Sequence, residues 1–362
     1  MPLSDLPPVH PPALAPAPAP ARPAARGATA AARTGRRAFV VAAACVAVAP
    51  ALWLPGRASQ EGGARAQGEF DTLDFDWVDT RRQRPVPTRL YLPRAASAGA
   101  PVPLVVFSHG IGSTRERYRW IGQHLAAEGH ACLHPQHVGS DRQVWLGNPL
   151  SVVTRLWDAA QEGEAVARVG DVRFALDTLL AGDLAPRLDE RRVVLAGHSY
   201  GANTTLLAAG AVVQRDGRVL SLRDERARAA IVLSAPPFYG EGDPRQILGG
   251  IGVPTLHVTA TEDVIRIPGY YSGAEDRLAV FEATGGPQGP RKWLAMFEGG
   301  SHSIFTDRPT AGGATLNPQV KGATRALALA FLRAVLDGDE ADIRAWPQRY
   351  APLLARFEAG PA

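Results

Sequence analysis

The chain has 362 residues, 46% hydrophobic and 20% charged, with a formal net charge of +4 at pH 7, which suits one large α/β domain with a full core. Residues 1–66 carry a net charge of +5, so residues 67–362 come to −1. The high isoelectric point therefore belongs to the leader, which argues against a nucleic-acid-binding body.

Residues 1–35 are expected to be a disordered leader, because their proline- and alanine-rich text offers almost nothing that forms a core. Arg36-Arg37 then precedes an apolar stretch from Ala38 to Leu54. That stretch is short for a spanning helix but suits the core of a signal peptide. Residues 36–66 read as a twin-arginine export signal, with Ala64-Arg65-Ala66 as a cleavage site. The expected location is periplasmic or extracellular; the alternative is an N-terminal membrane anchor. Cys45 lies in the leader and leaves Cys132 alone in the body, in an apolar run that suits a buried, inert thiol.

Residues 67–362 read as one domain. TLDFDWVDTRRQRPVPTRLYLP holds two strand patterns around RRQRPVP and predicts a hairpin. VPLVVFSHG is a buried strand running into a loop. Arg115 to Glu128 has helical spacing, with Tyr118, Ile121 and Leu125 on one face. HACLHPQH is a further strand and loop. Residues 138–162 form a long connection carrying Trp145 and Trp157. They are either a lid or pocket wall, or an irregular helical insertion packed on the body. Helices over 163–180, 202–213 and 320–336 alternate with the strands RRVVLAGHS, ARAAIVLSAPP, GVPTLHVTA and RKWLAMFEGG. The alternation predicts a mostly parallel sheet with helices on both faces and an N-terminal antiparallel hairpin.

In Gly197-His198-Ser199-Tyr200-Gly201, a serine sits between two glycines, after a strand pattern and before a helix pattern. A strand-to-helix turn sharp enough to expose a serine brings its neighbours too close for side chains. A nucleophilic serine needs a base, and the base needs an orienting acid. Asp263 and His302 each fall in a loop just after a predicted strand, in the order serine, acid, histidine. Glu262, adjacent to Asp263, is the alternative acid. The oxyanion donors are expected to be the Tyr200 N–H and the Ile111 N–H, the latter presented by the His109-Gly110 loop.

His130, His134 and His137 have a spacing a metal site would use, but a strand and its loop explain them better. Asp171 and Asp177 lie on a helix and suit ion pairing or capping. No metal and no cofactor are expected, and no Ser–Lys pair is visible.

FSHGIGSTRERY, LAAEGH, PQHVGSD, RVGDVRFALD, LAGHSYGAN, VTATEDV and GGSHSIF resemble the α/β-hydrolases of the platelet-activating factor acetylhydrolase and predicted dienelactone-hydrolase-like group. The resemblance spans roughly residues 70–340. It implies an α/β-hydrolase fold, Ser199 as nucleophile, Asp263 as acid, His302 as base, and the Ile111 and Tyr200 amides as oxyanion hole. Where dienelactone hydrolases proper carry a cysteine, this chain has Ser199. Where cutinases and polyester hydrolases follow the turn with a second glycine, it has Ala202. The expected function is serine-dependent hydrolysis of small or medium acyl esters, on a small-molecule or lipid-like substrate, with no nucleic acid and no stable membrane partner after signal cleavage. The alternatives are an exported lipase or polyester hydrolase and, in another class, a non-catalytic binding protein on the same scaffold.

Overall fold

The computed structural model describes residues 68–360, apart from 216, 239–242, 287 and 308–312. The expected disordered leader and export signal lie outside the described residues. The chain begins with the antiparallel hairpin β1 (Phe70–Asp79) and β2 (Arg84–Pro93), then β3 (Val102–Ser108), α1 (Arg119–Ala127) and β4 (Ala131–Pro135). Two short 3₁₀ turns and α2 (Val152–Ala159) fill the long connection, followed by α3 (Glu162–Leu180), β5 (Leu188–His198) and α4 (Tyr200–Ala209). Beyond these come the hairpin β6 (Val212–Arg215) and β7 (Arg218–Ser221), β8 (Ala227–Leu233), α5 (Pro244–Leu248) and β9 (Thr255–Glu262). A small hairpin, β10 (Ile265–Ile267) and β11 (Tyr270–Ser272), precedes α6 (Ala274–Ala283) and β12 (Lys292–Ser301). The last elements are α7 (Gly313–Asp337), α8 (Ala341–Arg349) and β13 (Leu354–Ala359).

The main sheet has the order β1-β2-β4-β3-β5-β8-β9-β12-β13. Strands β4 to β12 of that order run parallel, and antiparallel β1-β2 and β13 flank them. The parallel strands are near-continuous apolar runs because both faces are covered. Their two-residue period divides the core in two. Leu104, Val106, Val193, Leu195 and Val232 face a core built with α3, α4, α5 and α6. Val105, Phe107, Val194, Ile231 and Leu233 face the other, built with α1, α7 and α8.

Several features depart from the elements expected, the helices α5, α6 and α8 among them. The helix predicted over 202–213 ends at Ala209, because Gly210 turns the backbone to φ 121° and the β-branched Val212-Val213 pair joins the β6–β7 hairpin. The β10–β11 hairpin and the edge strand β13 had no counterpart in the sequence pattern.

Candidate active site

Ser199 stands where β5 passes into α4, with φ 55° and ψ −124°. An L-residue holds such a backbone only when its surroundings force it. The forcing is visible on both sides. A Cβ on Gly197 would lie 2.2 Å from the Gly201 carbonyl oxygen, and one on Gly201 would lie 1.9 Å from that of Ser108. The Ser199 N–H donates to the Leu233 carbonyl at 2.9 Å, which ties the turn to β8.

The sheet brings Asp263 and His302 to this serine. Asp263 follows β9, and His302 opens a 3₁₀ turn directly after β12, reached through Gly299 and Gly300 at positive φ. His302 Nε2 lies 2.8 Å from Ser199 Oγ, and His302 Nδ1 lies 2.7 Å from Asp263 Oδ1. Glu262 is exposed, whereas Asp263 has no exposed surface. Two partners of Asp263 were not read from the sequence. Thr259 Oγ1 donates to Oδ2 at 2.7 Å, and the buried Arg277 places Nε 3.4 Å from Oδ1. Burial raises the Asp263 pKa, but the charges of His302 and Arg277 and the hydrogen bonds to the carboxylate outweigh it, so the group stays below its ordinary value.

The His198 ring is also fixed. Its Nε2 must donate to the His302 carbonyl, at 3.0 Å, so its Nδ1 accepts from the Tyr118 hydroxyl at 2.9 Å. Tyr118 in turn accepts the Gly110 N–H at 3.3 Å. Burial, aided by the nearby His302, pushes His198 down to about 3, and burial pushes Tyr118 up to about 12. Both are neutral hydrogen-bonding braces near pH 7.

The His109-Gly110 loop is braced in the same manner. His109 Nδ1 donates to the Gly110 carbonyl at 2.8 Å, and its Nε2 accepts the His137 N–H at 3.0 Å. The Gly110 carbonyl and the Ile111 N–H share one planar trans peptide and point in opposite directions. Holding the carbonyl on His109 therefore aims the Ile111 N–H away from it. Ile111, Tyr200, Ser199 and His302 all line one cavity of about 1080 Å³. Beneath this loop lies Arg168, buried on α3, which burial lowers to about 10 and which is thus still charged near neutrality.

Residues 138–162 supply a wall of that cavity through Trp145, Leu156 and Trp157. The wall is fastened to the loop it faces. Trp145 Nε1 donates to the Gly112 carbonyl at 2.8 Å, and the Gly112 N–H donates to Ser140 at 2.8 Å. The Ile111 side chain packs on a satellite core of Val144, Leu156 and Ala159. Trp157 meets Tyr270 of β11 edge to face, at 6.5 Å between centroids.

The three histidines around β4 turn to separate partners: His130 to the Glu128 carbonyl, His134 to the Cys132 sulfur, His137 to Asp171. Burial raises the Cys132 thiol, so it stays protonated. Asp171 is buried against Arg82 and Arg84, and Asp177 pairs with Arg226.

Residues 51–144 match the family described as platelet-activating factor acetylhydrolase, isoform II. A platelet-activating factor acetylhydrolase of Cavia porcellus is 24% identical over 298 residues, which cover 73% of this chain and 61% of that protein's length. The ferulic acid esterase from Streptomyces cinnamoneus superposes with a TM-score of 0.54 at 20% identity, covering 76% of this chain and 92% of the esterase. Its likeness shows the fold, an α/β-hydrolase with a mostly parallel sheet. The sequence matches support the esterase group of the platelet-activating factor acetylhydrolases within that fold.

Proposed function

We propose that this chain, an α/β-hydrolase similar to the platelet-activating factor acetylhydrolases, hydrolyses carboxylic esters through a covalent acyl-enzyme. The observation that carries this reading is the hydrogen-bonded series from Ser199 Oγ to His302 Nε2, at 2.8 Å, and from His302 Nδ1 to Asp263 Oδ1, at 2.7 Å. Ser199 Oγ attacks the ester carbonyl while His302 Nε2 takes its proton. Asp263 holds the imidazole in the tautomer that leaves Nε2 free to accept. The Ile111 and Tyr200 N–H groups receive the oxyanion. His302 returns its proton to the departing alcohol, and a water activated by the same imidazole then releases the acid and restores Ser199.

Small or medium acyl esters remain the first substrate class. The exposure of Trp145, Leu146 and Leu150 on the segment that walls the cavity favours lipase or polyester substrates as the second reading. Export through residues 36–66 is part of the proposal. A mature protein starting near residue 67 supports it, and an uncleaved cytoplasmic chain refutes it. Among the described residues no helix is long and apolar enough to cross a membrane.

The test is hydrolysis of p-nitrophenyl esters from acetyl to palmitoyl, with Ser199→Ala alongside. The wild type turns over, and the variant loses at least about a thousandfold in kcat. The chain-length profile then separates small-ester from lipase or polyester specificity. Equal inactivity of both proteins across the series leaves the non-catalytic binding protein as the better account.

A further inference from the structure

Arg168 is fully buried, and its acidic neighbours Glu164 and Asp171 pair with Arg84 instead. A buried cation without a carboxylate partner is costly unless its donors are satisfied. All three guanidinium nitrogens donate to neutral oxygens. Nη2 donates to the His109 carbonyl, Nε to Thr204 Oγ1 at 2.8 Å, and Nη1 to Ser140 Oγ at 2.7 Å. Thr204 Oγ1 passes its own proton to the Tyr200 carbonyl at 3.0 Å, and the guanidinium lies 4.6 Å from the centroid of the Tyr200 ring. Ser140 also accepts the Gly112 N–H through its carbonyl. One side chain thus grips the loop that carries Ile111 and the turn that carries Tyr200. These two segments leave different strands, β3 and β5.

We propose that Arg168 is a positioning residue for the oxyanion hole, clamping the loop after β3 to the N-terminus of α4 and so setting the spacing of the Ile111 and Tyr200 amides. The inference rests on the esterase reading of this site. Arg168 does not reach the reacting atoms; it acts through the backbone that does. A planar, forked cation makes three directed bonds and a stacking contact at once, which a lysine cannot. Its direct bonds all go to neutral oxygens, and Glu164 stands one step away through Ser140 Oγ, which donates to its carboxylate at 2.8 Å.

The experiment compares wild type, Arg168→Met and Arg168→Lys on p-nitrophenyl acetate, with inhibition by an aryl trifluoromethyl ketone and a thermal melt of each protein. The ketone's adduct with a serine carries an oxyanion, so its affinity reads the donors directly. Loss of an oxyanion donor typically costs about 100–1,000-fold, and misaiming two donors should cost about 10–100-fold in kcat. We expect that loss in Arg168→Met, with KM within about threefold, and an equal loss of ketone affinity. Arg168→Lys should recover part of both. A folded Arg168→Met with wild-type kcat and ketone affinity, but a lower melting temperature, overturns the proposal. If Arg168→Met does not fold, Thr204→Val removes the relay from Arg168 Nε to the Tyr200 carbonyl and leaves the grip on His109 in place; a kcat lower by about 2–10-fold supports the clamp and an unchanged kcat overturns it. A wild type inactive on p-nitrophenyl esters from acetyl to palmitoyl refutes the esterase reading itself, whereas an active wild type with unaffected variants refutes only the role of Arg168.

Discussion

Asp263 is buried between the imidazole of His302 and the guanidinium of Arg277 and meets both. Replacing it by the amide of the same size removes two things at once. His302 loses the acceptor that sets its tautomer, and Arg277 loses its anion while Nε and Nη2 already lack hydrogen-bond partners. For Asp263→Asn we expect kcat to fall about 10⁴-fold and stability to fall by about 3–5 kcal/mol, measured by ester hydrolysis and urea unfolding. The sign of the pH dependence follows from the depressed pKa. A carboxylate held below its unfolded value stabilises fully above that value, about 3.9, and loses its contribution as pH falls from there through its lower folded value. The variant should therefore remain less stable than the wild type at pH 8, far above that value; equal stability of the two proteins at pH 8 refutes the ionised, paired carboxylate. At this scale the serine and its glycines were legible in the sequence because backbone closure leaves no room for side chains at Gly197 and Gly201. The choice between Glu262 and Asp263 was not settled there, since a loop has no period to give direction. Arg277 and Arg168 were invisible for another reason: nothing in a helical pattern marks which arginine the fold will bury.

The long segment between β4 and α3 makes several ties to one loop. The Trp145 indole, the Ser140 carbonyl and the Ile111 side chain all join it to residues 111–112, beside the Ile111 amide. Gly112 has φ 73°, and a Cβ there would overlap the Trp145 ring at 2.2 Å from Nε1, so the fit depends on this glycine. Trp145→Phe keeps an aromatic ring of smaller size and removes the indole N–H with its one hydrogen bond. A bond of that kind is worth about 0.5–1.5 kcal/mol. We expect kcat to fall about 2–10-fold with KM for a short ester unchanged, because the bond aims the loop without holding the substrate. A change confined to KM would make Trp145 a lining residue and nothing more. Sequence spacing showed that the segment was long and aromatic, yet left lid and wall open, because its anchors are single hydrogen bonds to backbone. The same limit hid β13 and the β10–β11 hairpin. Strands of three to six residues, such as LARFEA with its two charges, carry too little alternation to stand out, whereas the doubly covered strands β3, β5, β8 and β9 read as unbroken apolar runs.

Across the molecule, six of the eight histidines among the described residues are buried: His109, His130, His134, His137, His198 and His257. Burial, first among the causes in each case, lowers all six. His130 falls to about 4, and His134, His198 and His257 to about 3. The folded state therefore keeps these rings neutral near pH 6, while the unfolded chain, with a histidine pKa of about 6.5, begins to bind protons there. Because the unfolded state binds more protons, stability is fully present above about 6.5 and declines as pH falls towards the folded values. Each proton is worth about 1.4 kcal/mol per pH unit once the unfolded ring is fully charged. Six of them would consume a typical stability of about 5–15 kcal/mol within roughly two units. Asp171 works the other way, since burial raises it despite Arg84 and Arg82, but that is one proton against six. The protein should therefore lose its fold cooperatively between about pH 6 and pH 4, taking up several protons per molecule in the transition. Urea midpoints at half-unit steps from pH 8 downwards, with proton uptake titrated across the unfolding step, test this. An uptake of one proton or none would mean that the buried rings are already charged in the folded state. In that case the neutral tautomers assigned to His198 and His109, on which the geometry of the Ile111 amide and the His302 loop depends, would be wrong.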